Sequence, residues 1–172
     1  MKKTFLFTAL LTLMGLSVQA QKFALVDMEY IMSNIPAYEQ ANEQLNQTSR
    51  KWQAEVEAIE NEAKTLYKNY QDEAPFLTAE QKKAREQAII DKEKEATDLR
   101  KKYFAPQGEL YKKRISLIEP IQTDIYNAVK SIAQSKNFQL IIDRASDSGV
   151  IFASPSIDIS NEVLQKMGYT VR

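Results

Sequence analysis

Residues 70–81 read YQDEAPFLTAEQ and lie between two long, charge-rich segments that favour helix. Pro75 predicts the end of the first helix, because the residue before a proline avoids the α conformation. Thr78 and Gln81 have capping-box spacing, in which the two side chains satisfy the first free amides of a new helix. A connection of about four residues makes its two helices antiparallel neighbours. The stretch therefore predicts the turn of a helical hairpin.

Two bare apolar residues, Phe76 and Leu77, stand in this turn. One interpretation makes them the exposed tip of the hairpin, where they are available to other molecules. The alternative is that they fold back onto Tyr70 and staple the turn. We favour the exposed tip, because Pro75 and the capping box already form the turn without them.

The segment before the turn carries a heptad seam. Its apolar or small residues recur in steps of three and four, with one four-residue insertion, a stutter, between Trp52 and Val56. The other positions are mostly Gln, Glu, Lys and Asn, as on a solvated face. The seam consists of Tyr38, Ala41, Leu45, Thr48, Trp52, Val56, Ile59, Ala63, Leu66 and Tyr70.

The segment after the turn is predicted to be one helix from about Ala79 towards Lys136. Between residues 80 and 102 its apolar side chains are sparse among mixed charges, whereas an apolar seam in steps of three and four follows further on. Pro106 and Gly108 predict a kink between the two parts, and Pro120 predicts a second weak point.

The two ends of the mature chain predict a small separate body. Residues 22–27 form an apolar run typical of a buried strand, and residues 28–35 favour a short helix. Residues 138–143 and 150–153 are strand-like, and the six residues between them predict a β-hairpin with a longer loop. So small a sheet cannot cover its own edges and faces, which favours oligomerisation.

A short amphipathic helix is predicted near the carboxyl end. Ser160 is expected to cap its first turn, and Gly168 is expected to end it.

The first twenty residues have the pattern of a secretory signal peptide. Lys2 and Lys3 precede an apolar run, residues 5–16, that is short for a membrane span, and the end at Ala20 suits signal peptidase. We expect cleavage after Ala20 and a mature protein outside the cytoplasm. An uncleaved membrane anchor is the less favoured alternative. Removal of the two lysines leaves 21 basic against 23 acidic residues.

Composition argues against most catalytic and cofactor chemistry. The sequence has no Cys and no His, which excludes disulfides, Cys- or His-based triads and nearly all zinc and copper sites. Its four glycines form no dinucleotide or phosphate-loop motif. A near-neutral charge gives no footprint for nucleic acid, and helical arms do not offer the pocket that a carboxylate hydrolase needs. We therefore predict a protein that is not an enzyme, with no catalytic, cofactor-binding or metal site and no nucleic-acid partner.

The order of these segments resembles a known family. A signal peptide, then KFALVDMEYIM (residues 22–32), a polar helical hairpin, AVKSIAQSKNFQLIID (128–143) and DISNEVLQKMG (158–168) are together similar to the Skp/OmpH family of periplasmic outer-membrane-protein chaperones. The resemblance spans the mature chain and is strongest at its two ends. It implies an α+β, predominantly α fold, with a small β-rich trimerisation body and one long antiparallel coiled-coil tentacle per subunit. It also implies a homotrimer in the periplasm that holds unfolded outer-membrane proteins between its tentacles without ATP.

The resemblance divides the chain after the leader into residues 21–36 for the first body strand and helix, 37–105 for the tentacle with its tip at about 74–79, and 106–172 for the remainder. It implies a trimer core made of body-strand residues: Phe23, Leu25, Val26, Phe138, Leu140, Ile142, Val150 and Phe152.

The tentacle's inner face and tip are the expected client-binding surface. Its candidate residues are Leu45, Trp52, Val56, Ile59, Leu66, Tyr70, Phe76, Leu77, Ile89, Leu99 and Tyr103. For any single seam aromatic, we favour the alternative role of ordinary packing between the two helices.

Two features depart from the family pattern. The family's best-studied members are distinctly basic, whereas this mature chain is slightly acidic. A lipopolysaccharide or membrane-surface contact is also implied, but no motif matches it. The basic clusters Lys82, Lys83, Arg85 and Arg100–Lys102 are interpreted as a solvated helix face. The alternative function is a structural coiled-coil scaffold of the envelope, which would share the heptads and the trimer body but would not keep unfolded clients soluble.

Overall fold

The computed structural model describes residues 22–146 and 149–170. By its contacts the chain divides into a body unit, residues 22–34 and 125–170 of the described part, and a hairpin unit, Ile35–Asp124. The predicted signal peptide lies outside the described residues. In chain order the elements are β1 (Lys22–Val26), α1 (Met28–Ser33), α2 (Pro36–Glu73), α3 (Ala79–Phe104), α4 (Glu109–Lys136), β2 (Phe138–Asp143) and α5 (Ser160–Lys166), with 3-10 turns at Ala74–Phe76 and Pro155–Ile157.

The body unit contains a two-stranded parallel sheet. Phe23 of β1 pairs with Leu140 of β2, and Leu25 pairs with Ile142. Parallel strands need a long crossover connection, and here α1 to α4 all lie between the two strands in the chain. On the other edge of β1, the Ile159 N–H donates to the Leu25 carbonyl oxygen at 2.9 Å. The first strand of the chain is therefore the centre of the body.

The core of the body is aliphatic. The α4 helix contributes three buried residues in steps of three and four, which continues the seam read from the sequence, and α5 buries Val163 and Leu164 completely. Each large aliphatic side chain removed from water in this way contributes about 1.5–3 kcal/mol. The buried apolar residues of the body are Ala24, Leu25, Val26, Ile31, Ile125, Ala128, Ile132, Ile159, Val163 and Leu164.

The prediction of a β-hairpin after α4 is wrong for this chain. Residues 150–153 have no regular secondary structure, and β2 pairs with β1 instead. The turn after β2 explains the difference. The Arg144 N–H donates to the Val26 carbonyl oxygen at 2.8 Å, and the Arg144 guanidinium pairs with Asp27 at 3.1 Å and Asp158 at 3.4 Å. These bonds lead the chain back across β1 instead of along the free edge of β2.

Ser160 does not cap its own helix as predicted. It is the first residue of α5, after Ile159 at the cap position. Its buried hydroxyl accepts a hydrogen bond from the Asp27 N–H at 2.9 Å and donates to Asp158 Oδ1 at 2.6 Å. The side chain therefore joins α5 to the end of β1. Gly168 follows the helix with φ at +88°, as the predicted stop requires.

Ser160→Ala should destabilise the body by about 1–3 kcal/mol, because it leaves the Asp27 N–H without its partner. Urea unfolding of the mature protein measures this change. Ser33→Ala is the matched control, since the Ser33 hydroxyl bonds only to an exposed carbonyl oxygen and its loss should cost less than about 0.5 kcal/mol. Equal midpoints for the two variants would contradict the assigned role.

The hairpin unit confirms the predicted turn. The Gln81 N–H donates to Thr78 Oγ1 at 3.3 Å, and the Thr78 N–H donates to Gln81 Oε1 at 2.9 Å, which completes the capping box. Phe76 is 86% exposed, so it does not staple the turn, whereas Leu77 is half-buried. The heptad seam is also confirmed, because all ten of its residues on α2 are buried or half-buried.

The second arm is interrupted more strongly than predicted. The expected single helix is two helices, α3 and α4, separated by residues 105–108. Pro106 removes one backbone donor, and the Gly108 N–H closes a tight turn onto the Ala105 carbonyl oxygen at 2.7 Å. A Cβ on Gly108 would lie 2.8 Å from the Tyr103 carbonyl oxygen, so only glycine fits there without a shift. Pro120, in contrast, lies inside α4.

Candidate functional site

Ion pairs join α2 and α3 along the hairpin. Arg85 pairs with Glu73 at 3.1 Å, Lys92 pairs with Glu62 at 3.1 Å, and Arg100 pairs with Glu60. In all three pairs the basic residue lies on α3 and the acidic residue on α2. The residue numbers of the partners increase along α3 while they decrease along α2, as antiparallel helices require. Each exposed pair contributes little to stability, but together they favour one register between the arms.

Two of these ion pairs involve residues of the basic clusters seen in the sequence. Arg85 and Arg100 both pair with α2 carboxylates. Lys92 also pairs with Glu95 on its own helix at 2.8 Å, and the hydrogen bonds to Glu95 and Glu62 raise the pKa of Lys92 above its ordinary value. Three of the eight basic residues of α3 are therefore paired within the hairpin.

An aromatic cluster lies beside the break between α3 and α4. Trp52 and Tyr103 stack with ring centroids 4.6 Å apart and planes 2° from parallel, and Phe104 meets the Tyr103 ring edge-on at 6.2 Å. The Tyr103 hydroxyl donates to Glu55 Oε2 at 2.7 Å, a hydrogen bond that raises the pKa of Tyr103. Trp52 and Tyr103, both candidate client contacts, thus pack against each other.

A continuous groove runs along one flank of the hairpin. It consists of three concavities of about 480, 440 and 300 Å³. The first two share Ser49 and Phe104, and the last two share Glu60. Its α2 wall runs from Asn42 to Tyr67, about 37 Å of helix. We call this surface the flank groove. It can receive an extended segment of polypeptide more readily than a compact small molecule.

A cleft of about 370 Å³ in the body unit is a weaker candidate. Arg144, Asp158 and Tyr30 are among its lining residues. The Arg144 guanidinium is already paired with Asp27 and Asp158, so its positive charge is not available to a ligand in the cleft. Across residues 22–146 and 149–170, no group of acidic side chains is arranged to hold a metal ion. Within the same ranges, no helix is both long and apolar enough to cross a membrane.

Comparison with known proteins places the chain in a family. The OmpH-like outer membrane protein family matches residues 22–167. The chain belongs to this family. It is also 25% identical over 151 residues to the chaperone protein Skp of Yersinia enterocolitica, a match that covers 88% of each chain. The crystal structure of an OmpH-like protein of Caulobacter crescentus CB15, described as an outer membrane chaperone, superposes with a TM-score of 0.69 at 11% identity, over 87% of this chain and 85% of that one. The predicted OmpH-like fold is confirmed.

The predicted client-binding residues of this OmpH-like chain have different exposures. Val56 is 3% exposed and Ile89 is 7% exposed, so both lie within the hairpin's own packing. Phe76 alone of the candidates is fully open to solvent. The half-buried candidates are Leu45, Trp52, Ile59, Leu66, Tyr70, Leu77, Leu99 and Tyr103.

The structure adds exposed apolar residues that do not belong to the heptad seam. Tyr67 follows Leu66 and Ile90 follows Ile89, and in each pair the first residue faces the seam while the second is more than half exposed. Successive residues on a helix point about 100° apart. Two consecutive apolar residues on a helix cannot both face the seam, so one of them must be exposed. Such an apolar doublet was the sequence signal that could have revealed Tyr67 and Ile90. Phe104, Tyr111 and Ile115 are further exposed apolar residues of this unit.

The predicted trimer-core residues also divide into two groups. Leu25 and Val26 are buried within the chain's own body, and Phe138 and Ile142 are half-buried. Phe23 and Leu140, which are paired across the sheet, are both about half exposed. Val150 and Phe152 are exposed, together with Ile151, which the prediction had omitted. Phe23 and Leu140 therefore place two exposed apolar side chains side by side on the sheet, and residues 150–152 are three consecutive exposed apolar residues.

Proposed function

We propose that this OmpH-like protein is a periplasmic holdase chaperone that works without ATP. In this proposal three copies associate through their bodies, and the helical hairpins enclose a cavity in which unfolded outer-membrane proteins are kept from aggregating. Family membership supports a chaperone role, as does the similarity to a protein named chaperone Skp. A signal peptide cleaved after Ala20 would deliver the protein to that compartment.

The flank groove is the observation that carries this proposal. Unfolded barrel strands alternate apolar and polar residues and aggregate in water. A container for them needs many weak apolar contacts among charges. The hairpin provides such contacts in an open groove and in exposed residues such as Phe76, Ile90 and Tyr67. Release needs no nucleotide if the client gains more free energy by folding into its membrane than it loses by leaving.

Dilution of a urea-unfolded porin into buffer with the mature protein tests this function. We expect light scattering to be suppressed at about one trimer per porin, equally with and without ATP. A structural scaffold would leave porin aggregation unchanged. Suppression that required ATP would contradict the proposed mechanism, although it would leave a chaperone role intact.

The tip should contribute to holding without contributing to stability. Phe76→Ser removes an 86% exposed ring, so the free energy of unfolding should change by less than about 0.5 kcal/mol. Suppression of porin aggregation should weaken measurably, because a rim contact for clients is lost. Ala79→Ser, at an exposed position just after the turn, is the control and should hold the porin normally. If Phe76→Ser held the porin as well as Ala79→Ser, the tip would be a plain connector.

A further inference from the structure

The concavity of about 480 Å³ at one end of the flank groove differs from the other two in its chemistry. Phe104, Leu110 and Tyr111 give it an aromatic and aliphatic wall, and Asn42 and Asn46 bring side-chain amides to its opposite side. It adjoins the break between α3 and α4, where residues 105 and 106 also line it. We call it the terminal pocket.

Among the residues that the structure describes, Arg114 is the only charged one that lines the terminal pocket. Within the described residues, its side chain makes neither an ion pair nor a hydrogen bond. None of the positions three or four residues away on α4 is acidic, since residues 110, 111, 117 and 118 are Leu, Tyr, Leu and Ile. The basic residues that face α2 further along the hairpin, Arg100 and Lys92, are in contrast already paired. The guanidinium of Arg114 is therefore available to an incoming anion.

We propose that the terminal pocket binds the carboxyl-terminal residue of an unfolded polypeptide when that residue has a large apolar side chain. The apolar wall would receive the side chain, the Arg114 guanidinium would pair with the terminal carboxylate, and the asparagine amides would bond to the preceding backbone. A single carboxyl-terminal residue of this kind supplies both the apolar side chain and the carboxylate. This inference rests on the proposed chaperone function and names the part of the client that is recognised.

The shape of the groove favours a polypeptide over other anions. The terminal pocket continues into two further concavities, and the α2 wall of the whole groove is about 37 Å long. At about 3.3 Å per residue, that length accommodates about eleven residues of extended chain. The adjoining concavity contains Glu57, Glu60 and Arg100. Arg100 is paired with Glu60, which leaves the Glu57 carboxylate to repel a second anionic group. A carboxylate at the Arg114 end with uncharged chain behind it fits this distribution of charge.

Peptide binding to the full mature protein tests the inference. The probes are eleven-residue peptides of glycine and serine that end in phenylalanine with a free carboxylate, in phenylalanine amide, or in serine with a free carboxylate. Trp52 is the only tryptophan and stacks on Tyr103, the neighbour of Phe104, so its fluorescence should report binding. We expect the phenylalanine acid to bind about tenfold more tightly than the amide, as one charge-assisted hydrogen-bonded pair allows. The serine acid should bind more weakly than the phenylalanine acid.

Arg114→Gln should abolish the preference for the acid over the amide, as in a double-mutant cycle. Arg50→Gln is the matched control, because it removes one exposed positive charge from the same hairpin outside the groove lining. Tyr111→Ser should independently reduce the preference for phenylalanine over serine. Helicity and melting of each variant are measured in parallel, and all three substitutions fall at exposed positions.

Equal binding of acid and amide would overturn the inference, and so would a preference that survives Arg114→Gln. If decanoate bound with the same dependence on Arg114 while no peptide bound, the occupant would be an amphiphile and the inference would be wrong. If the wild-type protein failed to prevent porin aggregation, the proposed function itself would be contradicted. If the protein prevented porin aggregation but bound the acid and amide peptides equally, only this inference would be contradicted.

Discussion

Leu140→Asp should convert the proposed trimer into a folded monomer. Leu140 is 48% exposed within a single chain and is paired with the similarly exposed Phe23. The substitution therefore has little to disturb in the chain's own core. In a trimer that covers this face, each copy would bury an unpaired carboxylate, at a cost of several kcal/mol. The cost recurs in each of the three subunits, so dissociation at micromolar concentration should be complete.

Sedimentation equilibrium gives the mass of the variant, and far-ultraviolet circular dichroism gives its helicity. Gln139→Asp is the matched control, because the neighbouring residue on a strand points to the opposite face of the sheet and Gln139 is already exposed. We expect Gln139→Asp to remain a trimer. A Leu140→Asp protein of unchanged mass would show that this face is not the subunit contact.

Trp52→Ala should be the most destabilising substitution on the seam of the hairpin. The indole stacks on Tyr103 at 4.6 Å, beside the edge-on ring of Phe104. Full truncation of a buried large aromatic costs about 3–5 kcal/mol. Because Trp52 is half-buried, we expect a loss of about 2 kcal/mol in the free energy of unfolding, measured by urea denaturation.

Tyr67→Ala is the control for this prediction. Tyr67 is an aromatic residue of the same helix, but it is about half exposed and lies off the seam. Its truncation should cost less than about 0.5 kcal/mol, as is usual on a surface. Equal losses for the two variants would mean that the stack does not hold the arms together. A double-mutant cycle of Trp52→Ala, Tyr103→Ala and the combined variant gives the coupling energy of the stack, which we expect to be about 0.5–1.5 kcal/mol.

Local features of the hairpin could be predicted from the sequence alone. The capping box joins residues three apart, the heptad seam depends on steps of three and four, and Pro106 with Gly108 disrupts helix over four residues. These interactions form between neighbours in the chain, so their partners are fixed by spacing. The exposure of Phe76 follows for the same reason, because the turn is complete without it.

The structure of the body unit depends on contacts between residues that are far apart in the sequence, so parts of it were not predicted. Residues 150–153 have the composition of a strand but form none. β2 pairs with β1 instead, and Arg144, directly after β2, binds Asp27, which is 117 residues away in the sequence. Ser160 looks like a helix cap and instead bonds to Asp27 across 133 residues. Spacing in the sequence does not indicate that β2 pairs with β1, so it could not exclude a hairpin between β2 and residues 150–153.

The candidate site lies between these two cases. The seam residues were predictable, but the flank groove was not, because its walls come from both sides of the hairpin turn. Ion pairs between α2 and α3 favour the register that brings Leu45 and Asn46 opposite Phe104, and the break at residues 105–108 brings Arg114 to the same pocket. A one-turn slip between the arms would preserve every heptad step, yet it would place different side chains in the groove. The sequence determined which residues face the seam, whereas the tertiary register decided which residues meet across it.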